Sequence, residues 1–314
     1  MTPSWLLTLQ RLLPPESGRH AFRALAIGRA LPYPRSVTFM IFADNDAEPS
    51  WVLRCHRDAS VAAREAMVLG ELQRRGYRLQ PDAIGSGACE DLHAQLLRFC
   101  KGRHGSLDHW RNRDVVSQLA SEIADIQTGL AAWAQSTLDT RSPHTADLCS
   151  AVRQAGGAAG RETPLVQALD EARESLARAG APALPQHGDC CTANLLWDDG
   201  AIRLLDWEHF GCVFDPFLDV WTFVLSLCEQ SGDVQGASLF ASGANATAAE
   251  CAVRCYASRT GLTAEIGRRT FPLALTRFIH MNVGLGRKEI AQRMCRILDA
   301  YLADSSGFMR GLQR

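Results

Sequence analysis

The alternation of apolar and polar residues predicts strands in the first third of the chain. Residues 36–43 (SVTFMIFA) and 51–56 (WVLRCH) are rich in β-branched and aromatic side chains, which favour extended structure. The sequence DNDAEPS between them contains the residue types that form turns. The pattern therefore predicts a hairpin of two strands.

A helix and a third strand complete this first set of elements. Residues 60–75 carry apolar side chains at the spacing of an amphipathic helix, with Asp58 or Ser60 as the candidate N-cap. A third strand is predicted over 93–100, and the glycines of the sequence KGRHG at its end are typical of a hinge. We therefore place a hinge at 98–102.

Beyond the hinge the spacing of apolar residues becomes helical. Helices are predicted over 106–136, 163–179, 216–230, 246–260, 270–283 and 287–303. One hairpin interrupts them, with strands at 194–197 and 202–206, because Asp-Gly in the connecting sequence DDGA is a strong signal for a tight turn.

The length of 314 residues fits one large domain or two lobes that share a cleft, and we favour two lobes. The predicted fold class is α+β. It has an N-lobe (1–97) with an antiparallel sheet and one helix, a hinge (98–102), and a larger, mainly helical C-lobe (103–314) that carries the hairpin. The first 14 residues predict a short amphipathic helix, because they lack the basic stretch and cleavage site of a signal peptide.

The composition excludes several classes of protein. No stretch approaches the roughly 18 apolar residues that a membrane span requires, so we expect no membrane partner and a cytoplasmic location. The eleven cysteines are odd in number and have no C-x-x-C spacing, which argues against zinc and a disulfide framework. The net charge of −1 gives no reason to expect a nucleic-acid partner. Among the 33 basic residues only Lys101 and Lys288 are lysines.

Polar residues that suit phosphoryl transfer are concentrated around the predicted hairpin. Asp189, Asn194 and Asp206 all fall at loop or strand ends. Phosphoryl transfer needs a carboxylate that orients the acceptor hydroxyl and takes its proton, and oxygen ligands for Mg²⁺ ions that neutralise the triphosphate. Asp189 can supply the first function, and Asn194 with Asp206 the second. Cys190 and Cys191 are too soft as ligands for Mg²⁺, and we assign them to packing.

The motifs HGDCCTAN (187–194) and DWE (206–208) resemble the H-G-D-x-x-x-x-N and D-W-E signatures of aminoglycoside phosphotransferases and the related choline-kinase-like enzymes. This resemblance implies a protein-kinase-like two-lobe fold and a kinase that uses Mg²⁺ and ATP or GTP. It also implies that Asp219 braces the catalytic loop from the next helix. His187 is expected to hold the loop architecture, and Glu208 is either a further metal-shell carboxylate or a solvated acid.

The same resemblance implies a cation on a strand that contacts the α- and β-phosphates and pairs with a glutamate on the following helix. The candidates are Arg54 and Glu65, since no lysine precedes Lys101. An arginine can hold phosphate oxygens bidentately, although it does not replace a lysine in every respect. The alternative is an exposed ion pair of little consequence. Arg98 and Cys100, within the hinge, are also assigned to nucleotide binding.

Two other features have weaker interpretations. His56-Arg57-Asp58 spells the catalytic triplet of protein kinases, but it lacks an asparagine five residues later and follows the second strand, so we interpret it as coincidental. The phosphate-covering loop is also poorly marked, because the sequence AIGRALPYPR contains Gly28 alone and no G-x-G-x-x-G motif.

Charge is distributed unevenly along the second half of the chain. Residues 186–233 contain nine acids and one base, whereas 234–314 contain five acids and eleven bases. Basic helices do not suit a polycationic acceptor, so we favour a neutral or anionic hydroxylated small molecule, although a solvated helix face would give the same count. Two alternatives remain: a silent nucleotide-binding pseudokinase, and a nucleic-acid-binding module built on these helices. The sequence does not specify the acceptor, ATP or GTP, or the oligomeric state.

Overall fold

The computed structural model describes residues 4–13, 21–27, 36–138, 143–157, 160–231 and 243–309. The chain forms two compact units, one of Met1–Arg103 with Leu196–Phe210 and the other of His104–Leu195 with Gly211–Arg314. The predicted lobes and the hinge at 98–102 stay a prediction. They differ from these units, because the hinge and most of the hairpin that the sequence assigns to the C-lobe lie in the first unit.

The first unit contains a five-stranded antiparallel sheet in the order β1-β2-β3-β5-β4. Its strands are β1 (Phe22–Ile27), β2 (Ser36–Ala43), β3 (Trp51–His56), β4 (Ala83–Cys89) and β5 (Leu92–Arg98). The predicted strands over 36–43 and 51–56 are confirmed with their bounds, while the third is two residues shorter at its end. One face of the sheet buries a small apolar core that includes Leu53 and Leu96.

Two helices accompany this sheet, α1 (Ser4–Leu12) and α2 (Ala59–Arg74). Asp58 is the N-cap of α2, since its side chain accepts the N–H of Ser60 at 2.8 Å. The buried face of α2 includes Leu69 and Leu72, but it also includes Glu65, whereas Met67 is exposed. A carboxylate on the core side of an amphipathic helix needs a polar partner there.

A second, two-stranded sheet pairs β6 (Leu195–Asp198) with β7 (Ala201–Leu204), as the DDGA turn predicts. A single 3₁₀ turn, Trp207–His209, follows directly. Asp206 stands between strand and turn with φ 68° and ψ 61°, in the left-handed region that few residues other than glycine, asparagine and aspartate adopt. Such a conformation persists only where surrounding contacts fix it.

The second unit is helical. Its helices are α3 (Leu107–Arg111), α4 (Arg113–Thr137), α5 (Thr145–Gln154), α6 (Glu162–Arg178), α7 (Leu218–Gln230), α8 (Ala244–Thr260), α9 (Ala264–Arg269), α10 (Phe271–Gly284), α11 (Lys288–Ala303) and α12 (Ser305–Met309). Its core is formed by apolar helix faces and by large aromatic side chains such as Trp221 and Phe271, whose ring centroids are 5.0 Å apart. In the part of the chain that the structure describes, no helix is long and apolar enough to cross a membrane.

Helix α7 is buried along nearly its whole length and begins at a strained position. Phe217, just before it, has φ 71°, which is unfavourable for a bulky side chain. The ring of Phe217 packs on Tyr256, with centroids 4.7 Å apart, and a Cβ added to Gly267 would lie 2.7 Å from it. This packing holds the start of α7, and therefore the side chain of Asp219 in its first turn, in one place.

Candidate active site

The loop that contains the predicted base is fixed to α7 at two points. The carboxylate of Asp219 accepts the backbone N–H groups of His187 (2.6 Å) and Gly188 (2.9 Å). Two helical turns later, Ser226 Oγ accepts the N–H of Thr192 at 3.0 Å. Asp219 is therefore placed where the resemblance predicts it, against the backbone of the loop.

The carboxylate of Asp219 is completely buried, so its charge has to be compensated locally. Gln127 of α4 donates to Asp219 Oδ2 at 2.6 Å, and Asp219 N–H in turn donates to Gln186 Oε1 at 3.2 Å. Burial raises the pKa of Asp219 to about 6, although the hydrogen bonds it accepts act in the opposite direction. Gln186 also donates to Gln127 (3.1 Å), which closes a buried polar network behind the loop.

Asp189 and Asn194 lie together within this loop. A 3₁₀ turn, Thr192–Asn194, brings the amide of Asn194 back to Asp189, and its nitrogen donates to the backbone carbonyl (2.9 Å) and to Oδ2 (3.2 Å) of Asp189. The carboxylate is thereby oriented by a neighbour five residues on. Because the nitrogen of Asn194 is engaged with Asp189, its oxygen is the atom that remains for a metal ion.

The remaining loop residues have structural surroundings. His187 is buried, and its Nδ1 accepts the N–H of Asp189 at 3.3 Å, which fits the architectural role predicted for it. Burial raises the pKa of the Cys190 thiol well above its ordinary value and that of Cys191 to about 12. Both therefore stay protonated near neutral pH and are poor nucleophiles and metal ligands.

Arg54 and Glu65 form a buried ion pair rather than an exposed one. Arg54 Nη1 lies 2.6 Å from Glu65 Oε1, and the two side chains are 13% and 1% exposed. The second terminal nitrogen of Arg54 donates to Asp206 Oδ1 at 2.8 Å. The guanidinium thus joins α2 to the residue that follows the hairpin, using both ends of its fork.

This arrangement keeps Arg54 charged. Burial acts to lower the pKa of Arg54, but Asp206 and then Glu65 outweigh it, so the pKa lies above its ordinary value. The same contact partly explains the left-handed backbone of Asp206, since the guanidinium holds its carboxylate in place. We name the pair Arg54 and Glu65, with the contact to Asp206, the phosphate clamp, after the role predicted for it.

Glu208 is partly buried, and its carboxylate lies near three basic side chains. Its Oε2 lies 3.5 Å from Arg54 Nη2 and 3.8 Å from His56 Nδ1, and its Oε1 lies 3.3 Å from His209 Nε2. Burial, followed by the charge of Asp206, raises the pKa of Glu208. Glu208 thus lies among basic side chains, whereas the carboxamide of Asn194 contacts a carboxylate.

The two hinge residues assigned to nucleotide binding, Arg98 and Cys100, have different environments. Arg98 pairs with Asp82 at 3.6 Å, and both side chains are mostly exposed. In the strand register Arg98 lies opposite Trp51, three residues from Arg54, so the described contacts do not bring it into the clamp. Burial raises the pKa of the Cys100 thiol. Gly28 and the rest of the predicted phosphate-covering loop, over 28–35, lie outside the described residues.

Asn194 and Asp206 suit a magnesium ion that binds together with a nucleotide better than one that the protein holds by itself. Within the described ranges no three His, Cys, Asp or Glu side chains converge in the way a resident metal requires. Mg²⁺ in kinases takes one or two protein ligands and completes its shell with phosphate oxygens and water. Asn194 and Asp206, one amide and one carboxylate, are of the right chemical type.

Sequence reasoning missed three members of these clusters. His56 was interpreted as part of a coincidental triplet, and its neighbour Asp58 does serve only as a helix cap. Gln186 directly precedes the HGD motif, which could have marked it as a loop residue. Gln127 lies in the middle of a long helix among apolar residues, and an isolated buried glutamine there is the only signal.

Solved structures with the same architecture define the fold. A choline/ethanolamine kinase family protein from Mesorhizobium loti is 17% identical with a TM-score of 0.57, covering 99% of this chain and 98% of its own. A choline kinase from Cryptosporidium parvum Iowa II is 14% identical with a TM-score of 0.56 (93% and 88% covered). A thermostable mutant of aminoglycoside phosphotransferase APH(4)-Ia, in ternary complex with ADP and hygromycin B, is 17% identical with a TM-score of 0.52 (96% and 98%). The predicted α+β, protein-kinase-like fold is confirmed.

The sequence model of the phosphotransferase enzyme family (APH) matches residues 32–253, and the chain therefore belongs to this family. The matched stretch includes both the phosphate clamp and the catalytic loop. The predicted enzyme class, a phosphotransferase with an alcohol group as acceptor, is confirmed. No curated protein matches the chain in sequence.

Proposed function

We propose that this protein is a small-molecule kinase that transfers the γ-phosphoryl group of ATP or GTP to a hydroxyl group. In this proposal Asp189 takes the proton of the acceptor hydroxyl, whose oxygen forms the new bond to the γ-phosphorus. The bond from the γ-phosphorus to its bridging oxygen breaks, and the nucleoside diphosphate leaves. Asp189 is therefore a catalytic residue, while Asn194 orients it and supplies an oxygen for Mg²⁺.

The observation that best supports the proposal is the way in which Asp189 is held. Its carboxylate receives the amide of Asn194 at 3.2 Å, and the backbone before it is fixed by the buried carboxylate of Asp219. A base that must accept a proton in a defined direction needs this kind of fixed orientation.

Nucleotide binding is assigned to the phosphate clamp. Arg54 is buried, charged and held by Glu65, and a guanidinium can hold phosphate oxygens. A neighbour in fold, aminoglycoside phosphotransferase APH(4)-Ia, was solved with ADP, which favours a nucleotide co-substrate here. Mg²⁺, bound by Asp206 and Asn194 together with the nucleotide, would neutralise charge on the transferred group.

The acceptor is proposed to be a neutral or anionic hydroxylated small molecule, and the protein to act in the cytoplasm. The choice of acceptor rests on the basic composition of residues 234–314. Several of these arginines are paired with acids, for example Arg268 with Glu250 and Arg293 with Glu229, which reduces the excess charge. Choline and aminoglycosides, the cationic compounds after which the neighbours are named, are therefore the control acceptors in a screen.

One observation favours a second candidate, a silent nucleotide-binding pseudokinase. The guanidinium of Arg54 lies 2.8 Å from Asp206 Oδ1, and in a silent protein this cation would take the place of the metal ion. The two candidates differ in their dependence on Mg²⁺. A kinase requires the metal for turnover, whereas such a pseudokinase would bind nucleotide equally well in the presence of a chelator.

The test is a screen for nucleoside diphosphate release. The protein is incubated with Mg²⁺ and ATP or GTP and a panel of hydroxylated metabolites, with choline and an aminoglycoside included, and ADP or GDP is measured with and without each compound. We expect at least one compound to stimulate release, and this release to stop when Mg²⁺ is chelated. Nucleotide binding without stimulated release by any compound, and without dependence on Mg²⁺, would favour the pseudokinase.

A further inference from the structure

His56 lies two residues after Arg54 on β3, and alternate residues of a strand project from the same face. Both side chains contact Glu65 of α2, which enters from the helix that covers this part of the strand. His56 is almost completely buried. The residue that looked coincidental in the sequence thus lies inside the phosphate clamp.

The carboxylate of Glu65 is divided between these two side chains. Oε1 pairs with Arg54 Nη1 at 2.6 Å, and Oε2 lies 3.2 Å from His56 Nε2. The second contact lacks the alignment of a hydrogen bond, but it places a buried ring nitrogen next to the buried carboxylate oxygen. A buried carboxylate with one uncompensated oxygen would be costly, and His56 is placed to reduce that cost.

The other ring nitrogen of His56 faces a second carboxylate. Its Nδ1 lies 3.8 Å from Glu208 Oε2, the same oxygen that lies 3.5 Å from Arg54 Nη2. Two basic side chains from β3 therefore share two carboxylates, one from α2 and one from the turn after β7. An aliphatic side chain of similar volume would fill the space but would leave Glu65 with Arg54 alone, and Glu208 with Arg54 and His209.

We propose that His56 is a positioning residue for nucleotide binding, which holds Glu65 and Glu208 so that the guanidinium of Arg54 keeps one orientation toward the phosphates. This inference rests on the proposed function, in which Arg54 contacts the nucleotide. His56 itself does not touch the nucleotide. Its contribution passes through Arg54, and this makes the effect of removing it conditional on the presence of Arg54.

The two ring nitrogens can be tested separately. The amide nitrogen of glutamine reaches the position of Nε2, and that of asparagine the position of Nδ1, so His56→Gln keeps a donor toward Glu65 and His56→Asn keeps one toward Glu208. His56→Ala removes both. His93→Gln is the matched control, because His93 lies opposite His56 on β5 but is exposed.

The measurement is the Kd for MgATP or MgGTP, determined by competition with a fluorescent analogue. The nucleotide that the wild type binds more tightly is used throughout, and Tm is measured in parallel. We expect His56→Ala to raise Kd about tenfold, as expected for the loss of one charge-assisted contact. His56→Gln should retain most of the affinity, because the contact to Glu65 is the shorter one, and His56→Asn should resemble alanine. His93→Gln should match the wild type. The amide variants are close in size to histidine and carry the test whether or not His56→Ala folds.

A double-mutant cycle gives the deciding comparison. In the Arg54→Ala background, removal of His56 should change Kd by less than about twofold, because the residue through which it acts is gone. Equal effects in both backgrounds, or variants with a lower Tm and wild-type affinity, would overturn the inference and leave His56 a packing residue. If the wild type binds no nucleotide at all, the proposed function fails with it; if the wild type binds and the variants bind equally well, only this inference fails.

Discussion

Asp219 accepts the backbone N–H groups of two consecutive loop residues, His187 at Oδ2 (2.6 Å) and Gly188 at Oδ1 (2.9 Å). A carboxylate suits this position because it offers two acceptor oxygens and no hydrogen. An asparagine side chain in the same place would turn an NH₂ group toward one of the two N–H groups. The conformation of the catalytic loop therefore depends on the chemistry of residue 219 as well as on its size.

From this geometry we predict that Asp219→Asn lowers kcat by roughly tenfold to hundredfold, because the loop that carries Asp189 is displaced from its productive position. The measurement is kcat with the acceptor found in the screen. Asp170→Asn on the exposed surface of α6 is the control and should leave kcat unchanged. A wild-type kcat in Asp219→Asn would show that the two backbone contacts do not position the base.

The burial of Asp219 also makes a prediction about pH. Its pKa is raised from the ordinary 3.8 to about 6, so the folded state binds this proton more tightly than the unfolded state does. The associated contribution to stability is complete below about pH 4 and is lost as the pH rises through about 6. The free energy of unfolding of the wild type, minus that of Asp219→Asn, should therefore fall between about pH 4 and pH 7 in urea titrations. A difference that rises or stays constant would contradict the raised pKa.

Arg54 gives a prediction for both stability and binding. Arg54→Ala leaves the buried carboxylate of Glu65 without its nearest cation, and loss of one partner of a buried pair typically costs about 3–5 kcal/mol. We expect a lower Tm and weaker nucleotide binding. Arg54→Lys should retain measurable activity but bind more weakly, because an ammonium is a single point charge and does not reproduce the fork that reaches both Glu65 and Asp206.

The control for these variants is Arg74→Ala, which removes an exposed arginine that pairs with Glu71 on α2. Exposed pairs of this kind contribute less than about 1 kcal/mol. If Arg54→Ala and Arg54→Lys both bind nucleotide as the wild type does, then the clamp is elsewhere and the buried pair serves the fold alone.

Local sequence signals predicted the elements whose pattern is self-contained. Strands β2 and β3 are strongly β-branched or aromatic, and the turn between β6 and β7 is fixed by Asp-Gly, so these required no knowledge of the tertiary structure. Strand β4 was missed because its sequence AIGSGAC has two glycines and a single β-branched residue. It is formed by pairing with β5, which is a tertiary effect.

The same distinction applies to the site: residues that are close together in the sequence could be predicted, whereas contacts formed only by the fold could not. Asp189, Asn194, Asp206 and Asp219 are at fixed spacings in a short stretch, and the sequence could therefore identify them as a set. The pairing of Arg54 with Glu65 was predicted, but its contact with Asp206 could not be, since it joins residues 152 positions apart. His56 and Gln127 were missed for the same reason: each is an ordinary residue in its own strand or helix and becomes part of a polar cluster only through packing.

Asp206 is predicted to be the residue on which metal dependence rests. Asp206→Ala removes the carboxylate proposed to hold Mg²⁺ and also a partner of Arg54, so turnover should be abolished and Mg²⁺-dependent nucleotide binding weakened. The measurement is nucleotide affinity as a function of Mg²⁺ concentration. Asp206→Asn keeps one oxygen ligand, so its nucleotide affinity at a given Mg²⁺ concentration should lie between those of the wild type and Asp206→Ala. An unchanged Mg²⁺ dependence in the alanine variant would contradict the assignment.

The sharpest prediction concerns Asp189, whose proposed task is confined to the acceptor hydroxyl. Asp189→Asn keeps the size of the side chain but cannot take a proton, and general-base assistance is commonly worth about 10²–10⁴ in rate. We expect kcat to fall by at least about a hundredfold, while the affinity for Mg²⁺-nucleotide changes little because Asp206 and Arg54 remain. Asp199→Asn is the matched control. It is an exposed aspartate in the turn of the hairpin at φ 45°, a conformation that asparagine tolerates equally well.

Wild-type turnover of a confirmed acceptor by Asp189→Asn would remove the base from the mechanism. If nucleotide affinity falls as well, the substitution disturbs the loop through the contact between Asp189 and Asn194. In that case Asn194→Ala should cause the same loss of nucleotide affinity.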